Sequence, residues 1–334
     1  MRTLVLNRSS LAVSLEGEHL VVRDHAESDS ELHRVPLVQV SRVVIAGQPA
    51  ISFAALAKLM DMRIPCSFLT ARGRWRGMMD GDTGFHAGRR ARQYQSLANE
   101  AFALRIAKWV VDGKLRNSRR TLQRLAANRR MDISRDGSWF LLEACRKNLH
   151  SLASVDSVRG VEGTAASCYF KLLSRFFPTS MPFSERTRRP PRDPANALLS
   201  FLYTLLEGEV TAAVRAHGLD VAAGYLHRDH ERSPSLSLDL MESFRPYFAD
   251  RLALDLLNHH RLDAERDFEP RDDGGIYLNE SGRATVFRAV DDALERRCET
   301  VYGRLTLRQI IDRTVCDFIA VLEENAEPRF LIVG

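Results

Sequence analysis

The sequence predicts an α+β protein in which a small strand-rich region precedes a larger all-helical one, and two observations carry that reading. Apolar residues alternate in short runs up to about residue 79, then recur at helical spacing from about residue 86 onward. Between the two regimes lies DGDTGFHAG, a Gly- and Asp-rich stretch that punctuates the chain as a hinge. A length of 334 residues makes two domains the default expectation. The predicted boundaries are therefore 1–79 for the strand-rich region, 80–88 for the hinge and 89–334 for the helical domain.

The strands follow from TLVLN, LAVSLE, HLVVRD and VSRVVIAG, which are short, rich in Val and Leu, and separated by turn sequences such as NRSS and EGE. SFAALAKLMDM reads as one helix among them, with strands again in IPCSFLT and RWRGMM. Beyond the hinge, residues 89–128 read as two helices broken near Asp112–Gly113. SWFLLEACRKNLHSLASV and VEGTAASCYFKLLSRFF follow as further helices. PTSMPFSERTRRPPRDP holds five prolines and four arginines and reads as a loop. Four more helices are predicted in ANALLSFLYTLLEGEVTAAVRAHG, SLDLMESFRPYFADRLALDLLNHH, SGRATVFRAVDDALERRCETVY and LTLRQIIDRTVCDFIAVLEEN.

Composition narrows the class. Hydrophobic residues at 45% and charged residues at 27% describe an ordinary globular chain. The N-terminal MRTLVLNRSS has no apolar signal core, and the best apolar run, ALLSFLYTLLEG, is interrupted after about ten residues, short of the roughly twenty a membrane span needs. A soluble, cytoplasmic protein without a membrane partner is expected. Five scattered cysteines with no C-x-x-C pair argue against a disulfide framework and against a thiolate zinc site. DGDTG opens like a calcium loop, but its twelfth position is Ala91 rather than a glutamate, which excludes that reading. No G-x-x-x-x-G-K-[ST] phosphate loop is present.

The formal net charge is only +5, but it is unevenly spread. Residues 72–135 hold sixteen Lys or Arg against five Asp or Glu, so the rest of the chain is net negative. A concentrated basic block suggests a polyanion-binding face, because clustered charge rather than total charge sets the local field.

Three places offer chemistry. Glu162 in VEGTAASCYF lies on a helix stripe with Ala165, Ala166, Tyr169 and Leu173, so its carboxylate needs a cation, a base or a metal. His227 sits in the abrupt turn GYLHRDHERS, with Asp229 and His230 as alternatives. Asp239 and Glu242 in SLDLMESFRP are three residues apart and share one helix face. Carboxylates with one imidazole and no thiolate form a hard ligand set suited to Mg²⁺ or Mn²⁺. The same residues also fit a structural account, in which Glu162 is ion-paired, His227 shapes a turn, and Asp239 and Glu242 face a helix dipole.

Taken in order, these segments resemble the CRISPR-associated spacer-acquisition integrase family. VEGTAASCYF resembles its E-G-x-x-A-x-x-Y-F helix, GYLH its histidine turn and DLMESFRP its acidic segment. GKLRNS is similar to its K-x-x-N-Q stretch, and ISFAALAKLMDMRIPCSFLTARGRWRG to the strand-domain element before the hinge. The resemblance implies an N-terminal β-rich domain and a helical catalytic domain, with Glu162, His227 and Glu242 as metal ligands and Asp239 as an accessory catalytic carboxylate. Ser243 stands where the family commonly has proline, and Ser118 where it has glutamine.

The implied reaction inserts spacer DNA into a CRISPR array: a DNA 3′-hydroxyl attacks a phosphodiester at a repeat boundary, and water in its place gives endonuclease activity. On this reading Arg72, Arg74, Arg89, Arg90, Lys114, Arg186, Arg188, Arg189 and Arg245 are candidates for contacting double-stranded or branched DNA, with Arg245 equally able to orient the carboxylate. The family further implies a homodimer built through the β domain and a small ferredoxin-like companion protein. Two alternatives remain open at this point: a catalytically silent DNA-binding scaffold, and an integrase of mobile elements.

Overall fold

The computed structural model describes residues 2–26, 30–71, 73, 75–79, 81, 86–187, 189–228, 233–300 and 302–327. Its first region contains β1 (Arg2–Leu6), β2 (Leu11–Glu16), β3 (His19–Asp24), β4 (Ser30–Pro36), β5 (Val40–Ala46), β6 (Ala50–Ile51), α1 (Phe53–Asp61), β7 (Cys66–Leu69) and β8 (Trp75–Met79). The strands form two four-stranded sheets, ordered β1-β5-β7-β8 and β4-β3-β2-β6. β2 and β3 are joined by a two-residue turn across Glu16 and His19, in which Gly17 takes φ +59°, the left-handed conformation such hairpins require.

β5 is paired in parallel on both sides, with β1 and β7, and both of its faces are covered, as its near-continuous apolar run VVIA demands. Val43 and Ile45 join Leu6, Leu20 and Leu59 in the small core of the strand region. Val44 and Ala46 point the other way, into the large helical core.

The second region contains α2 (Ala87–Leu97), α3 (Glu100–Asn128), α4 (Gly137–Asn148), α5 (Val155–Leu173), α6 (Pro194–Ala216), α7 (Ser235–Met241) and α8 (Arg251–Asn258). A hairpin of β9 (Phe268–Pro270) and β10 (Ile276–Leu278) precedes α9 (Glu280–Glu295), and a second, β11 (Arg297–Thr300) with β12 (Gly303–Thr306), precedes α10 (Leu307–Glu324). The helix starts are capped by side chains: Asn99 for α3, Ser154 for α5, Asp193 with Pro194 for α6, and a Thr306–Gln309 capping box for α10.

Three expectations are corrected here. The break between the first two long helices falls at Asn99, and α3 runs straight through Asp112–Gly113. Gly113 costs a helix about 1 kcal/mol. Its neighbours Val110, Val111 and Leu115 are buried, each contributing more than that.

The single helix expected over residues 237–260 is instead α7, a turn, and a π-helical stretch over Arg245–Asp250 that leads into α8. Pro246 has no N–H to give a continuous ladder. α3 takes up carbonyls at this junction, with Asn117 Nδ2 donating to Ser243 O at 2.8 Å and Thr121 Oγ1 to Pro246 O at 3.2 Å. Finally, the apolar stretch expected to fall short of a membrane span continues beyond ALLSFLYTLLEG along α6, the helix predicted there. That helix is long and apolar enough to cross a membrane by composition, but it is mostly buried as the core helix of the helical region.

α6 also joins the two regions. Arg42 of β5 reaches across to pair with Glu209 and donates to Gly208 O at 2.8 Å. Gly208 lies where a Cβ would fall 2.9 Å from the Trp75 ring of β8. Replacing Glu209 with Ala leaves the buried Arg42 without its carboxylate. The expected loss is about 3–5 kcal/mol, read as a lower denaturant midpoint in chemical unfolding.

Candidate metal-binding active site

Three helices and one turn bring the candidate residues together. α5 presents Glu162 on the face it shares with Ala165, Tyr169 and Leu173. α3, packed beside it, presents Lys114, whose ammonium contacts Glu162 Oε1. The same ammonium lies 2.6 Å from Glu242 Oε2. Lys114 therefore bridges two carboxylates contributed by segments eighty residues apart. It is buried, and it is the partner that Glu162 required.

Glu242 sits at the C-terminal cap of α7, where the chain turns toward the π-helical stretch. Its side chain is 2% exposed and faces three cationic groups: Lys114, Arg245 Nη1 at 3.1 Å, and His227 Nε2 at 3.8 Å. Burial alone would raise its pKa. Arg245, Lys114 and His227 reverse that and hold the carboxyl down at about 2. Lys114 and Arg245 are in turn kept charged, because the carboxylates more than offset the burial that would lower them.

The turn carrying His227 is fixed by Asp239. Its Oδ2 accepts from the backbone N–H groups of Tyr225 at 2.6 Å and Leu226 at 3.0 Å. Its Oδ1 accepts from the His227 backbone N–H at 3.1 Å and lies 2.7 Å from His227 Nδ1. Asp239 is thus fully committed on the far side of the imidazole. Its carboxylate holds the ring and the 225–227 turn, on the side of the imidazole away from Glu242.

With Nδ1 engaged, Nε2 faces Glu242. Burial pushes the His227 pKa down, but the Asp239 hydrogen bond and the Glu242 charge outweigh it and leave the pKa raised. Two further features hold the turn in place. Arg159, one turn before Glu162 on α5, donates from Nε to Leu226 O at 2.6 Å. At Gly224 a Cβ would fall 2.6 Å from the backbone carbonyl carbon of Ser235, so only glycine lets the turn press against the start of α7.

Sequence reasoning missed a supporting network behind Arg245. Its guanidinium lies 4.9 Å from the centre of the Tyr203 ring, and Tyr203 donates to Asp250 Oδ1 at 2.6 Å. Tyr169, two turns after Glu162 on α5, donates to Asp250 Oδ2 at 2.8 Å. Burial raises the Asp250 carboxyl to about 6 against the pull of the two tyrosines. Tyr169 was visible in the E-G-x-x-A-x-x-Y-F pattern. Tyr203 and Asp250 carry no local signal, since their partners lie 47 and 81 residues away.

The arginine expectations divide. Arg72, Arg74 and Arg188 lie outside the described residues, as do the alternative ligands Asp229 and His230. Lys114 and Arg245 are buried within the carboxylate cluster, Arg245 in the carboxylate-orienting position that the sequence also allowed. Arg89 is paired with Glu323 and donates to His217 O. Arg186 donates to Asn196 Oδ1 and Ser200 Oγ, tying the proline-rich loop to the start of α6. Arg90, although exposed, donates to Gly218 O at 3.1 Å. Arg189 is exposed in the same proline-rich loop.

Two carboxylates with an imidazole nitrogen beside them suit a hard divalent cation. The Lys114 ammonium, in contact with both carboxylates, marks a position where positive charge is stabilised. The donor set therefore fits Mg²⁺ or Mn²⁺.

Comparison with known proteins gives the fold a relation. The chain is 32% identical over 308 residues to the CRISPR-associated endonuclease Cas1 1 of Chlorobaculum tepidum, covering 90% of this chain and 88% of the relative. It is 36% identical over 300 residues to the CRISPR-associated endonuclease Cas1 2 of Rhodospirillum rubrum, covering 86% and 85%. A Cas1 protein from Thermotoga maritima superimposes with a TM-score of 0.81 at 25% identity, covering 96% and 97% of the two chains. A chain of a Cas6-RT-Cas1–Cas2 complex matches with a TM-score of 0.80 at 25% identity; 98% of this chain is covered but only 35% of that longer one. With residues 4–292 also matching the family described as CRISPR associated protein Cas1, the chain belongs to the Cas1 family.

Proposed function

We propose that this protein is a divalent-metal-dependent DNA integrase and endonuclease that inserts spacer DNA into a CRISPR array. The observation that carries the reading is that Glu162 and Glu242 share one position of stabilised positive charge, with His227 Nε2 beside Glu242 at 3.8 Å. Relatives named as Cas1 endonucleases over most of the chain support it. Mg²⁺ or Mn²⁺ would be held by Glu162, Glu242 and the Nε2 of His227, supplying the charge that acidifies an attacking 3′-hydroxyl and offsets charge at phosphorus.

The remaining work falls to the chain itself. Asp239 keeps the Nδ1 proton on His227, so that Nε2 presents a lone pair to a ligand. Arg245, stacked on Tyr203 and anchored through Asp250, fixes the Glu242 carboxylate before substrate arrives. Lys114 balances the two carboxylates in the metal-free protein, and its flexible four-carbon stem lets the ammonium move aside. Such preorganisation needs no covalent enzyme intermediate, because phosphoryl transfer is dominated by positioning and electrostatics.

The proposal includes a homodimer formed through the strand-rich region, where Val38 and Phe53 are 70% and 80% exposed. It also includes a small ferredoxin-like companion of the Cas2 kind, in line with the complex whose Cas1 portion this chain resembles. Double-stranded and branched DNA are the substrates.

Purified protein with a branched DNA half-site and Mn²⁺ is expected to perform strand transfer. Glu162→Gln and His227→Ala each remove a ligand and should lower the rate by at least about 1,000-fold, several kcal/mol of transition-state stabilisation. Asp239→Asn removes only the orientation of the imidazole and should cost about 10- to 100-fold. If the ligand variants transfer strands at the parent rate, the enzymatic reading is wrong. If instead no metal supports transfer while DNA binding persists, the protein is a silent scaffold.

Lys114→Met gives an independent check on the cation position. Glu162 and Glu242 then lack their shared counter-charge, and the metal-free protein should lose about 3–5 kcal/mol of stability. Mn²⁺ should restore the melting temperature of this variant more than it raises that of the parent. Equal responses would show that ion and ammonium do not share the position.

A further inference from the structure

A second group of ligand atoms, sharing no residue with the carboxylate cluster, lies at the C-terminal end of α6. His217 caps the C-terminus of α6, held by its own backbone N–H on Ala213 O and by Arg89 donating to its carbonyl at 2.7 Å. Its Nε2 lies 2.7 Å from Asp312 Oδ1 and 3.8 Å from Cys316 Sγ. Asp312 and Cys316 are four residues apart on α10, which stacks them on one helix face. One ligand atom from each of the three lies within 4.8 Å of the other two.

The arrangement resembles a nucleophile–histidine–carboxylate relay only at first sight. In a relay the nucleophile and the orienting carboxylate engage opposite nitrogens of the imidazole, so that the ring passes a proton between them. Here the thiol and the carboxylate both face Nε2. Convergence on a single nitrogen describes a ligand triangle. A tetrahedral Zn²⁺ with bonds of roughly 2.0 Å to nitrogen and 2.3 Å to sulfur spaces its ligand atoms roughly 3.3–3.8 Å apart. The sulfur–nitrogen separation already matches, and the nitrogen–oxygen pair need only open from its hydrogen bond.

The surroundings favour the same conclusion. Arg89 and Arg313 are the nearest cations acting on Cys316, and both are committed elsewhere, to Glu323 and Asp317. Burial, reinforced by Asp312, pushes the Cys316 thiol up. Binding releases the thiol proton, so the thiolate and the Asp312 carboxylate supply two negative charges to neutralise a divalent ion while the imidazole binds as a neutral ligand. The Asp312 side chain is 58% exposed, which gives ions an entry path and leaves a fourth position for water.

We propose that His217, Asp312 and Cys316 form a transition-metal site for Zn²⁺ that ties the end of α6 to α10. An imidazole with a thiolate selects a softer ion than the Mg²⁺ or Mn²⁺ suited to Glu162, Glu242 and His227. The two sites are thus chemically separable, and this one does not depend on the proposed catalytic activity. Arg89 and Arg90 anchor α2 to the carbonyls of His217 and Gly218, so occupancy would stiffen the seat on which the first helix after residue 86 rests.

The test uses the full-length chain stripped with a chelator and titrated with Co²⁺ as a spectroscopic probe. One equivalent should produce a near-ultraviolet thiolate-to-cobalt absorption that Zn²⁺ displaces. Cys316→Ser should abolish the absorption, and Asp312→Asn should weaken binding at least about 10-fold. Alkylation followed by peptide mapping of the parent protein needs no variant: Zn²⁺ should protect Cys316 and leave the labelling of Cys298 unchanged. Absence of the absorption in the parent, its survival in Cys316→Ser, or alkylation of Cys316 at the same rate with and without Zn²⁺ would each overturn the site.

Discussion

A carboxylate that is 2% exposed cannot keep its charge without company, and the environment of Glu242 is built around that requirement. Lys114, Arg245 and His227 surround it, and each is held by a different part of the chain: α3, the π-helical stretch and the 224–227 turn. Glu162 then shares Lys114, so α5 is drawn into the same balance. Removing one member leaves the others mismatched, which is why stability and chemistry are expected to fail together at some positions and apart at others. Lys114 balances the charge of the two acids, whereas Asp239 fixes the imidazole and helps to raise its pKa.

The local irregularity of the chain serves this arrangement. A continuous helix through Pro246 would carry Glu242 onward along a regular face. Instead α7 ends at Met241, the backbone turns, and the hydrogen bonding widens over Arg245–Asp250. Asn117 and Thr121 of α3 accept the consequences by binding carbonyls at that junction. Widened helical turns of this kind recur at functional sites because they redirect a side chain without ending the helix. Asp250, at the far end of the stretch, closes the arrangement by binding tyrosines from α5 and α6.

Much of this was legible in the sequence where the signal is local. Alternating and helical periodicities separate the strand-rich and helical regions, and the Gly17 turn and the Asp193–Pro194 start of α6 lie where their residues suggest. The small hairpins after residue 267 were hidden because three- and four-residue strands are too short to show a period. Charge was the least transferable signal. The basic block from Arg72 to Arg135 also supplies internal ion pairs that its sequence does not announce: Arg89 pairs with Glu323, Arg119 with Glu143, and Lys114 with Glu162 and Glu242. Long cationic side chains find acids remote in sequence, and no window of neighbouring residues reports them. Glu162, His227, Glu242 and Lys114 could be named from short motifs, but the place of the ammonium between the two acids could not.

α6 touches each of these places in turn. Along its 23 residues it meets Arg186 near its start, supports Arg245 through Tyr203, receives Arg42 at Glu209, and ends at His217. Six residues separate Tyr203 from Glu209, about 9 Å of helical rise. The sheet β1-β5-β7-β8 of the strand-rich region is thus braced on the same rod that backs the carboxylate cluster. A load applied to the strands has a stiff, loop-free route of under two turns to the arginine that clamps Glu242.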